Sequence, residues 1–302
     1  MPTTIGFIGL GSMGREMCLR LLAADHVVHG YARRAQVLAP LVSRGARPSL
    51  TPAAAARSSE IVCINVTGTA DVEEVLFGPD GVAQGGLPGT TVLDFSTISP
   101  LATKTFADRL QRVGIDMLDC PVSGGVQGAR SGTLSIMVGG APHVFERVRP
   151  ILSILGSTLT HVGDHGAGQV AKACNQIIQV VNIQGIAEAV YFARATGLDF
   201  LRILPALQAG FAGSRMLDLM GPKMSRRDFK PGMEARLHAK DFDTIATVAN
   251  ALATSMPAVS LVGRQLHALL DAGWGSEDTS TLLKVLEAMS ESGSGRATAP
   301  PD

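Results

Sequence analysis

Five polar side chains recur at helical spacing within one proline-free stretch of the chain, Gly166 to Thr196. The apolar residues of this stretch also follow a helical period, which predicts one long helix over residues 166–196. The polar residues fall at i, i+3, i+4, i+7 and i+10, which is a single helix face: Lys172, Asn175, Gln176, Gln179 and Asn182. A lysine in an apolar setting could donate and accept a proton near neutral pH, because desolvation destabilises its ammonium form. Taken alone, the stretch favours a surface helix with a solvated lysine. The other motifs of the chain are needed to decide between that and a buried lysine that transfers a proton.

A glycine-rich turn near the start of the chain is a second candidate ligand-binding element. The apolar run Thr4 to Ile8 precedes a GxGxxG motif and then a helical pattern. The first glycine permits a tight turn, the second lets the backbone approach a pyrophosphate, and the third allows the helix to pack closely on the strand. The N–H groups of the helix N-terminus then face the phosphates. The motif predicts a dinucleotide site, rather than a merely structural turn, at Gly9, Leu10, Gly11, Ser12, Met13 and Gly14.

The end of the second predicted strand indicates which dinucleotide is bound. This strand, Val27–Tyr31, runs into Ala32, Arg33 and Arg34, where a site that prefers NAD usually has Asp or Glu. Guanidinium groups match a 2′-phosphate in charge and in geometry. The sequence therefore predicts NADP as the cofactor, with NAD as the alternative.

Strand patterns alternate with helical patterns through the first half of the chain. They predict an α/β fold with a Rossmann-type, doubly wound and mostly parallel sheet, on which ligands bind beyond the carboxyl ends of the strands. That rule selects Val66, Thr67, Ser96, Thr97 and the loop after Asp119. In this loop Ser123, Gly124 and Gly125 could clamp a small carboxylate with backbone N–H groups and a hydroxyl, although such glycines alone also suit a flexible loop.

The second half of the chain has a helical pattern from Leu198 to Met289, broken at Gly210–Gly213 and at Lys230–Gly232. The sequence therefore predicts a dinucleotide-binding domain over residues 1–164 and an all-α domain over residues 165–290 that begins with the long shared helix. A tail over residues 291–302, rich in Ser, Gly and Pro, is expected to be disordered. Surplus apolar helix surface predicts a homo-oligomer.

Length, charge and cysteine content indicate how many domains the chain has and which kinds of partner it has. The chain has 302 residues, 46% of them hydrophobic, and its 26 basic residues balance its 26 acidic residues. This length suits two domains, and the zero net charge gives no indication of nucleic acid or an anionic membrane as a partner. Four scattered cysteines without CxxC spacing, and seven histidines without ligand spacing, predict a cytoplasmic protein that requires no metal. No apolar run reaches the roughly 20 residues that span a membrane.

Taken together, these motifs resemble the β-hydroxyacid dehydrogenases. The resemblance covers residues 3 to about 290 and rests on four motifs in order: Gly9–Gly14 with Met17, Asp119–Gly125 with Gly128 and Gly132, Gly166–Gly168 with Lys172 and Asn175, and Lys240–Asp241. It implies hydride transfer between a nicotinamide cofactor and a small acid that carries a carbonyl or hydroxyl at its 3-position. It also implies a homodimer or a homotetramer.

The resemblance also implies roles for single residues. Lys172 would give a proton to the carbonyl oxygen, Asn175 would orient the substrate, and the Ser123 segment would hold its carboxylate. Further substrate contacts would come from Thr97, Ser214 and Met233, and further cofactor contacts from Asn65, Val66, Thr67, Thr97, Lys240 and Asp241. Two positions depart from the family pattern, since Ala32 replaces a common Asn or Asp and Met233 replaces a common phenylalanine. They leave the ribose contacts and the pocket shape open.

Within the family, several segments are most similar to the tartronate semialdehyde (2-hydroxy-3-oxopropionate) reductases: Val72–Gly81, Ser96–Pro100, Phe211–Ser214, Phe229–Gly232 and Leu237–His238. The alternative is a 3-hydroxyisobutyrate dehydrogenase or another 3-hydroxyacid dehydrogenase that uses NAD. A dinucleotide-binding scaffold without turnover would be expected to have a damaged catalytic position, and Lys172, Asn175 and Ser123 are all present. Imine reductases share the architecture but generally lack the lysine.

Overall fold

The computed structural model describes residues 2–294. Its contacts divide the chain into two compact units between Ala173 and Cys174, which we call the Rossmann unit and the helical unit. The division lies inside helix α9 (Ala167–Ala195), which begins in the first unit and continues in the second. The division predicted from the sequence, between residues 164 and 165, falls just before the start of this helix.

The Rossmann unit contains a nine-stranded sheet whose strands are β1 (Thr4–Ile8), β2 (Val27–Tyr31), β3 (Arg47–Pro48), β4 (Ile61–Ile64), β5 (Thr91–Asp94), β6 (Asp116–Asp119), β7 (Val122–Ser123), β8 (Leu134–Gly139) and β9 (Gly156–Gly163). Their order is β3-β2-β1-β4-β5-β6-β8-β7, with β9 beside β8. Strands β1 to β6 pair in parallel, whereas β8 is antiparallel to β6 and β7. The order reverses between β1 and β4, and this switch point is where doubly wound sheets bind ligands. The predicted sheet is confirmed.

Helices cover both faces of this sheet: α1 (Ser12–Ala23), α2 (Ala39–Val42), α3 (Pro52–Arg57), α4 (Thr69–Phe77), α5 (Val82–Gly85), α6 (Pro100–Gln111), α7 (Gly125–Ser131) and α8 (Pro142–Leu155). Successive residues of a strand point to opposite faces, so buried strands are apolar throughout. In β4, Cys63 joins one buried apolar cluster, while its neighbours Val62 and Ile64 join the other. Two cores therefore hold the sheet in place and fix where its strands end.

The segment after Asp119 differs from the loop that the sequence predicts. Val122 and Ser123 form the short strand β7, which pairs with β8. Gly124 and Gly125 adopt φ angles of 130° and 61°, a backbone that glycine tolerates, and they turn the chain into α7. Sequence patterns miss this helix because its seven residues include two glycines and few apolar side chains.

The helical unit continues α9 and adds α10 (Phe200–Ala209), α11 (Arg215–Ser225), α12 (Ala235–Ala251), α13 (Pro257–Asp271) and α14 (Leu282–Ser294). The all-α prediction and its two helix breaks, at Gly210–Gly213 and Lys230–Gly232, are confirmed. Helix α14 extends to Ser294 and so overlaps the first residues of the predicted tail, and residues 295–302 lie outside the described residues. Over residues 2–294, no helix is both long enough and apolar enough to cross a membrane.

Candidate active site

The glycine motif forms a tight turn at the carboxyl end of β1. The N–H of Gly9 donates to the carbonyl oxygen of Tyr31 over 3.2 Å, and Gly9 has a φ of 90°. A Cβ atom at Gly9 would overlap the carbonyl oxygen of Asn65. A Cβ atom at Gly14 would overlap the carbonyl oxygen of Gly9, so α1 packs directly against the turn. The first and third glycines are therefore required by contacts within the protein.

Gly11 differs from these two glycines because the space beside it is open. A Cβ atom there would meet no other atom of the described residues within 4 Å. Gly11 is the N-cap of α1, no side chain caps this helix end, and its first turn carries no acidic residue. The helix N-terminus thus offers backbone N–H groups and a positive dipole end beside an open volume. The residues present fit the pyrophosphate of a dinucleotide.

Hydrogen bonds join the ends of neighbouring strands into one edge. The N–H of Asn65 donates to the carbonyl oxygen of Ile8 over 2.9 Å, and the N–H of Val66 donates to Ser96 Oγ over 3.0 Å. The carboxyl ends of β1, β4 and β5 therefore lie side by side. Four of the predicted cofactor residues belong to the segments at this edge: Asn65, Val66, Thr67 and Thr97.

Arg33 follows the end of β2 and forms an ion pair with Asp71 in the first turn of α4. The distance from Arg33 Nη2 to Asp71 Oδ1 is 3.4 Å, and the arginine side chain is 80% exposed. Arg34 is also exposed, and Ala32 is partly buried. No sequence pattern marks Asp71 as a partner of Arg33, because an aspartate in the first turn of a helix is explained by the helix dipole alone.

The N-terminus of α9 is anchored to the ends of β5 and β6. The carboxylate of Asp119 accepts from the N–H groups of Gly166 and Gln169 over 2.8 and 2.9 Å. The carboxamide of Gln169 accepts from the N–H of Ile98 over 3.1 Å and donates to the carbonyl oxygen of Ser96 over 2.8 Å. Burial raises the pKa of the Asp119 carboxyl above its ordinary value, although the two N–H groups oppose this shift.

Lys172 follows Gln169 by three residues, which is about one helical turn. It is 6% exposed, so the alternative of a solvated surface lysine does not hold. Its position is fixed by a helix whose first turn is bonded to two strands. Gln169, which was not among the predicted residues, extends the polar face of α9 one turn toward the start of the helix.

The predicted carboxylate clamp lies where β7 passes into α7. Ser123 ends β7, Gly124 is the N-cap of α7, and Gly125 is its first residue. A Cβ atom at Gly125 would have no neighbouring atom of residues 2–294 within 4 Å, so the backbone here borders open space. This arrangement suits a small anion that approaches the backbone closely.

Glu16 connects α7 to α1. Its Oε1 accepts from Arg15 Nη2 over 2.8 Å, and its Oε2 accepts from Arg130 Nε, on α7, over 3.1 Å. The hydrogen bond from Arg130, followed by that from Arg15, lowers the pKa of the Glu16 carboxyl below its ordinary value. No local sequence pattern marks Glu16, since its partner Arg130 is 114 residues away along the chain.

In the helical unit, hydrogen bonds join the polar face of α9 to α12. Asn175 Nδ2 donates to Gln176 Oε1 over 2.9 Å and to Gln179 Oε1 over 3.4 Å. Gln176 Nε2 donates to Asp241 Oδ2 over 2.6 Å, and Gln179 Nε2 lies 3.4 Å from His238 Nε2. The predicted residues Asn175 and Asp241 are thus linked through one glutamine.

Further contacts extend this network along α12. Lys240 Nζ lies 2.8 Å from Asp241 Oδ1, and His238 Nδ1 lies 2.7 Å from Thr279 Oγ1. His238 is 1% exposed and Asp241 is 5% exposed. Asn182, which was predicted on the same face of α9, is exposed.

Ser214 and Met233, the other predicted substrate residues, lie at helix starts in this unit. Ser214 Oγ accepts from the N–H of Leu217 over 3.1 Å and so caps α11. The N–H of Met233 donates to Asp278 Oδ2 over 3.4 Å in the segment before α12. The cap explains Ser214 structurally, and the substrate contacts of both residues stay predictions. Among residues 2–294, no three His, Cys, Asp or Glu side chains are grouped so as to hold a metal ion.

Two family models together match most of the chain. Residues 4–163 match the NAD binding domain of 6-phosphogluconate dehydrogenase, and residues 166–286 match a model described as NAD-binding of NADP-dependent 3-hydroxyisobutyrate dehydrogenase. The chain is also 43% identical over 285 residues to the 2-hydroxy-3-oxopropionate reductase of Escherichia coli K12, covering 94% of this chain and 97% of that protein. It belongs to the β-hydroxyacid dehydrogenase family.

Other members share both sequence and structure with this β-hydroxyacid dehydrogenase. The 3-hydroxyisobutyrate dehydrogenase of Pseudomonas aeruginosa is 34% identical over 292 residues, covering 94% of this chain and 98% of that protein. A Mycobacterium tuberculosis 3-hydroxyisobutyrate dehydrogenase structure with L-serine aligns with a TM-score of 0.88 at 29% identity, covering 95% of this chain and 99% of that one. The resemblance inferred from the motifs is confirmed. The protein is an oxidoreductase that uses a nicotinamide dinucleotide.

Proposed function

We propose that this β-hydroxyacid dehydrogenase is an NADP(H)-dependent reductase of 2-hydroxy-3-oxopropionate (tartronate semialdehyde) and that its product is glycerate. The observation that carries the proposal is the 43% identity to a reductase named for this substrate, which exceeds the 34% identity to a 3-hydroxyisobutyrate dehydrogenase at the same coverage of this chain.

The preference for NADP is supported by charge at the end of β2. Arg33 and Arg34 follow this strand, where an acidic residue would accept from a ribose 2′-hydroxyl in an NAD site. Arg33 Nη2 lies 3.4 Å from Asp71 Oδ1, and the arginine side chain is exposed. A guanidinium there can bind a 2′-phosphate with two parallel hydrogen bonds.

A nicotinamide dinucleotide held by the glycine motif and the N-terminus of α1 would supply the hydride for the reduction. Lys172 gives a proton to the carbonyl oxygen as that oxygen becomes an alkoxide, and it takes the proton back in the reverse direction. Its ammonium also stabilises the negative charge that develops on the oxygen, and this interaction is stronger at a buried residue than in bulk water.

The remaining groups would hold the substrate in place. Ser123 and the N–H groups of Gly124 and Gly125 bind its carboxylate, and Asn175, one turn beyond Lys172 on α9, orients the reacting end. Holding both ends of a three-carbon acid presents the aldehyde carbon to the hydride in one orientation. Thr97, Ser214 and Met233 complete the proposed substrate contacts, and Lys240 and Asp241 the proposed cofactor contacts.

Steady-state kinetics with both cofactors test this proposal. The panel contains 2-hydroxy-3-oxopropionate and succinic semialdehyde for reduction, and glycerate, 3-hydroxyisobutyrate, threonate and serine for oxidation. We expect the highest kcat/KM for 2-hydroxy-3-oxopropionate with NADPH. If 3-hydroxyisobutyrate with NAD gives the highest value, the alternative dehydrogenase is correct. Absence of turnover with every pair, together with NADPH binding, would indicate a scaffold.

We also propose that the enzyme is cytoplasmic and that it forms a homodimer or a homotetramer. Light scattering coupled to size-exclusion chromatography distinguishes a mass of one, two or four chains.

A further inference from the structure

We propose that His238 is a positioning residue that fixes the side-chain amide of Asn175, so that Asn175 presents its oxygen to the substrate and selects a hydroxyl beside the reacting carbonyl. The inference rests on the proposed function, in which Asn175 orients the substrate. Every contact that carries it lies inside the helical unit.

One end of the network is the Asp241 carboxylate on α12. It is 5% exposed, and the Lys240 ammonium lies 2.8 Å from its Oδ1. A carboxylate only accepts hydrogen bonds, so Gln176 has to direct its NH₂ group toward Asp241, and the Nε2–Oδ2 distance is 2.6 Å. The oxygen of the same amide then faces Asn175 and accepts from its Nδ2 over 2.9 Å.

The other end of the network is the buried imidazole of His238. Its Nδ1 lies 2.7 Å from Thr279 Oγ1, and its Nε2 lies 3.4 Å from Gln179 Nε2. Because Asn175 Nδ2 donates to Gln179 Oε1 over 3.4 Å, the NH₂ group of Gln179 faces His238. An amide NH₂ group only donates, so this arrangement requires Nε2 to accept and places the ring proton on Nδ1, beside Thr279.

The two ends impose the same orientation on Asn175. Both hydrogens of its amide are taken by glutamine oxygens, one from Gln176 and one from Gln179. What the side chain offers to a ligand is therefore its carbonyl oxygen, which attracts a hydroxyl and repels a carbonyl oxygen. Because 2-hydroxy-3-oxopropionate carries a hydroxyl beside its aldehyde carbon, it matches this acceptor. The analogue 3-oxopropionate lacks that hydroxyl and leaves the acceptor unpaired.

Removing the imidazole should weaken the hold on this orientation. With leucine at position 238, the NH₂ group of Gln179 loses its acceptor, and its amide can rotate so that its oxygen no longer accepts from Asn175. The Asn175 amide is then held by Gln176 alone, so its second orientation, with NH₂ toward the substrate, becomes more populated. A glutamine at position 238 retains an amide oxygen that can accept from Gln179.

The kinetic test compares 2-hydroxy-3-oxopropionate with 3-oxopropionate, both with NADPH, in the full-length enzyme and its His238→Leu and His238→Gln variants. We expect His238→Leu to lower kcat/KM about tenfold for the hydroxylated substrate and less than about twofold for 3-oxopropionate. His238→Gln should recover most of the loss. The control is His267→Leu, which removes an exposed histidine of α13 that bonds to Asp243. Equal losses on both substrates would overturn the proposal.

A second variant covers the case in which His238→Leu does not fold, and a spectroscopic measurement tests the His238 tautomer directly. If His238→Leu does not fold, Gln179→Met interrupts the same path at a partly buried residue and should give the same substrate-dependent loss. Nitrogen-15 NMR of the labelled wild-type protein shows which ring nitrogen of His238 carries the proton, and it does not depend on enzymatic activity. We expect Nδ1 to be protonated and Nε2 to be unprotonated. A ring protonated at Nε2 overturns the inference even in an active reductase. The expected tautomer in a protein that reduces neither aldehyde refutes the proposed function, and the substrate part of the inference fails with it.

Discussion

Gln169 and Ser96 are joined by a 2.8 Å hydrogen bond from the carboxamide of the first to the carbonyl oxygen of the second, which ties the first turn of α9 to the end of β5. The same carboxamide accepts from the N–H of Ile98, and Gln169 is 1% exposed. Gln169→Leu would leave two backbone groups without their partner in a buried setting. We expect it to lower the free energy of unfolding by about 2 kcal/mol, measured by urea denaturation.

The same substitution should also lower kcat, because Lys172 lies about one turn beyond Gln169. The KM for NADPH should change less than kcat does. A suitable control is Val170→Ala, the next residue of α9, whose side chain is half exposed. Unchanged kcat in Gln169→Leu would show that this anchor does not position the lysine.

Replacing Lys172 tests the proton donor directly. We expect Lys172→Ala to lower kcat by about two to four orders of magnitude, the usual contribution of a positioned acid or base. NADPH affinity, measured by fluorescence titration, should stay nearly constant, since the proposed role concerns the carbonyl oxygen. A variant that retains near-normal kcat would contradict the assignment.

The glycine motif is recognisable from the sequence because its strand, its turn and its helix lie within one segment of the chain. Lys172 is recognisable only together with the other motifs, because its own helix pattern alone favours a solvated surface lysine. Gln169 and Asp119 acquire their role only when α9 meets β5 and β6, and no local pattern encodes that contact. The helix α7 was missed for another reason, since its glycine-rich segment has no helical period and depends on two residues with positive φ.

The glycine motif allows a matched pair of substitutions. In Gly11→Ala the added methyl group meets no described atom within 4 Å, whereas in Gly14→Ala it overlaps the carbonyl oxygen of Gly9. We expect Gly11→Ala to keep its thermal unfolding midpoint but to weaken NADPH binding about tenfold or more, because the methyl group occupies the space of the pyrophosphate. Gly14→Ala should lower the thermal unfolding midpoint and also weaken NADPH binding. Normal NADPH affinity in Gly11→Ala would place the phosphates elsewhere.

Cofactor preference should depend on Arg33 and its partner Asp71. Arg33→Asp removes the cation and adds a repulsive charge, so it should weaken NADPH more than NADH, by about tenfold or more in kcat/KM. Asp71→Asn keeps the arginine but removes the ion pair at 3.4 Å. Because such an exposed pair contributes little energy, we expect a change of less than about threefold. Equal losses with both cofactors in Arg33→Asp would contradict the 2′-phosphate contact.

Glu16 should make the stability of the enzyme depend on acid pH. Hydrogen bonds from Arg130 and Arg15 hold its folded-state pKa below the ordinary value of 4.5. The stabilisation from a carboxyl with a lowered pKa is fully present above the unfolded value and is lost as the pH falls through the folded value. Glu16→Gln should therefore be less stable than the wild type at about pH 7, and the difference in unfolding free energy should shrink below about pH 4.5.

Urea denaturation at several pH values measures this difference. The matched control is Glu146→Gln, which removes an exposed glutamate that pairs with Arg149 on the surface of α8 and should alter the pH dependence little. A deficit in Glu16→Gln that is the same at neutral and acid pH would show that the side chain stabilises through packing instead of charge. Because Glu16 joins α1 to α7, a pH-dependent deficit should be accompanied by a higher KM for the acid substrate, since α7 begins at the proposed carboxylate clamp.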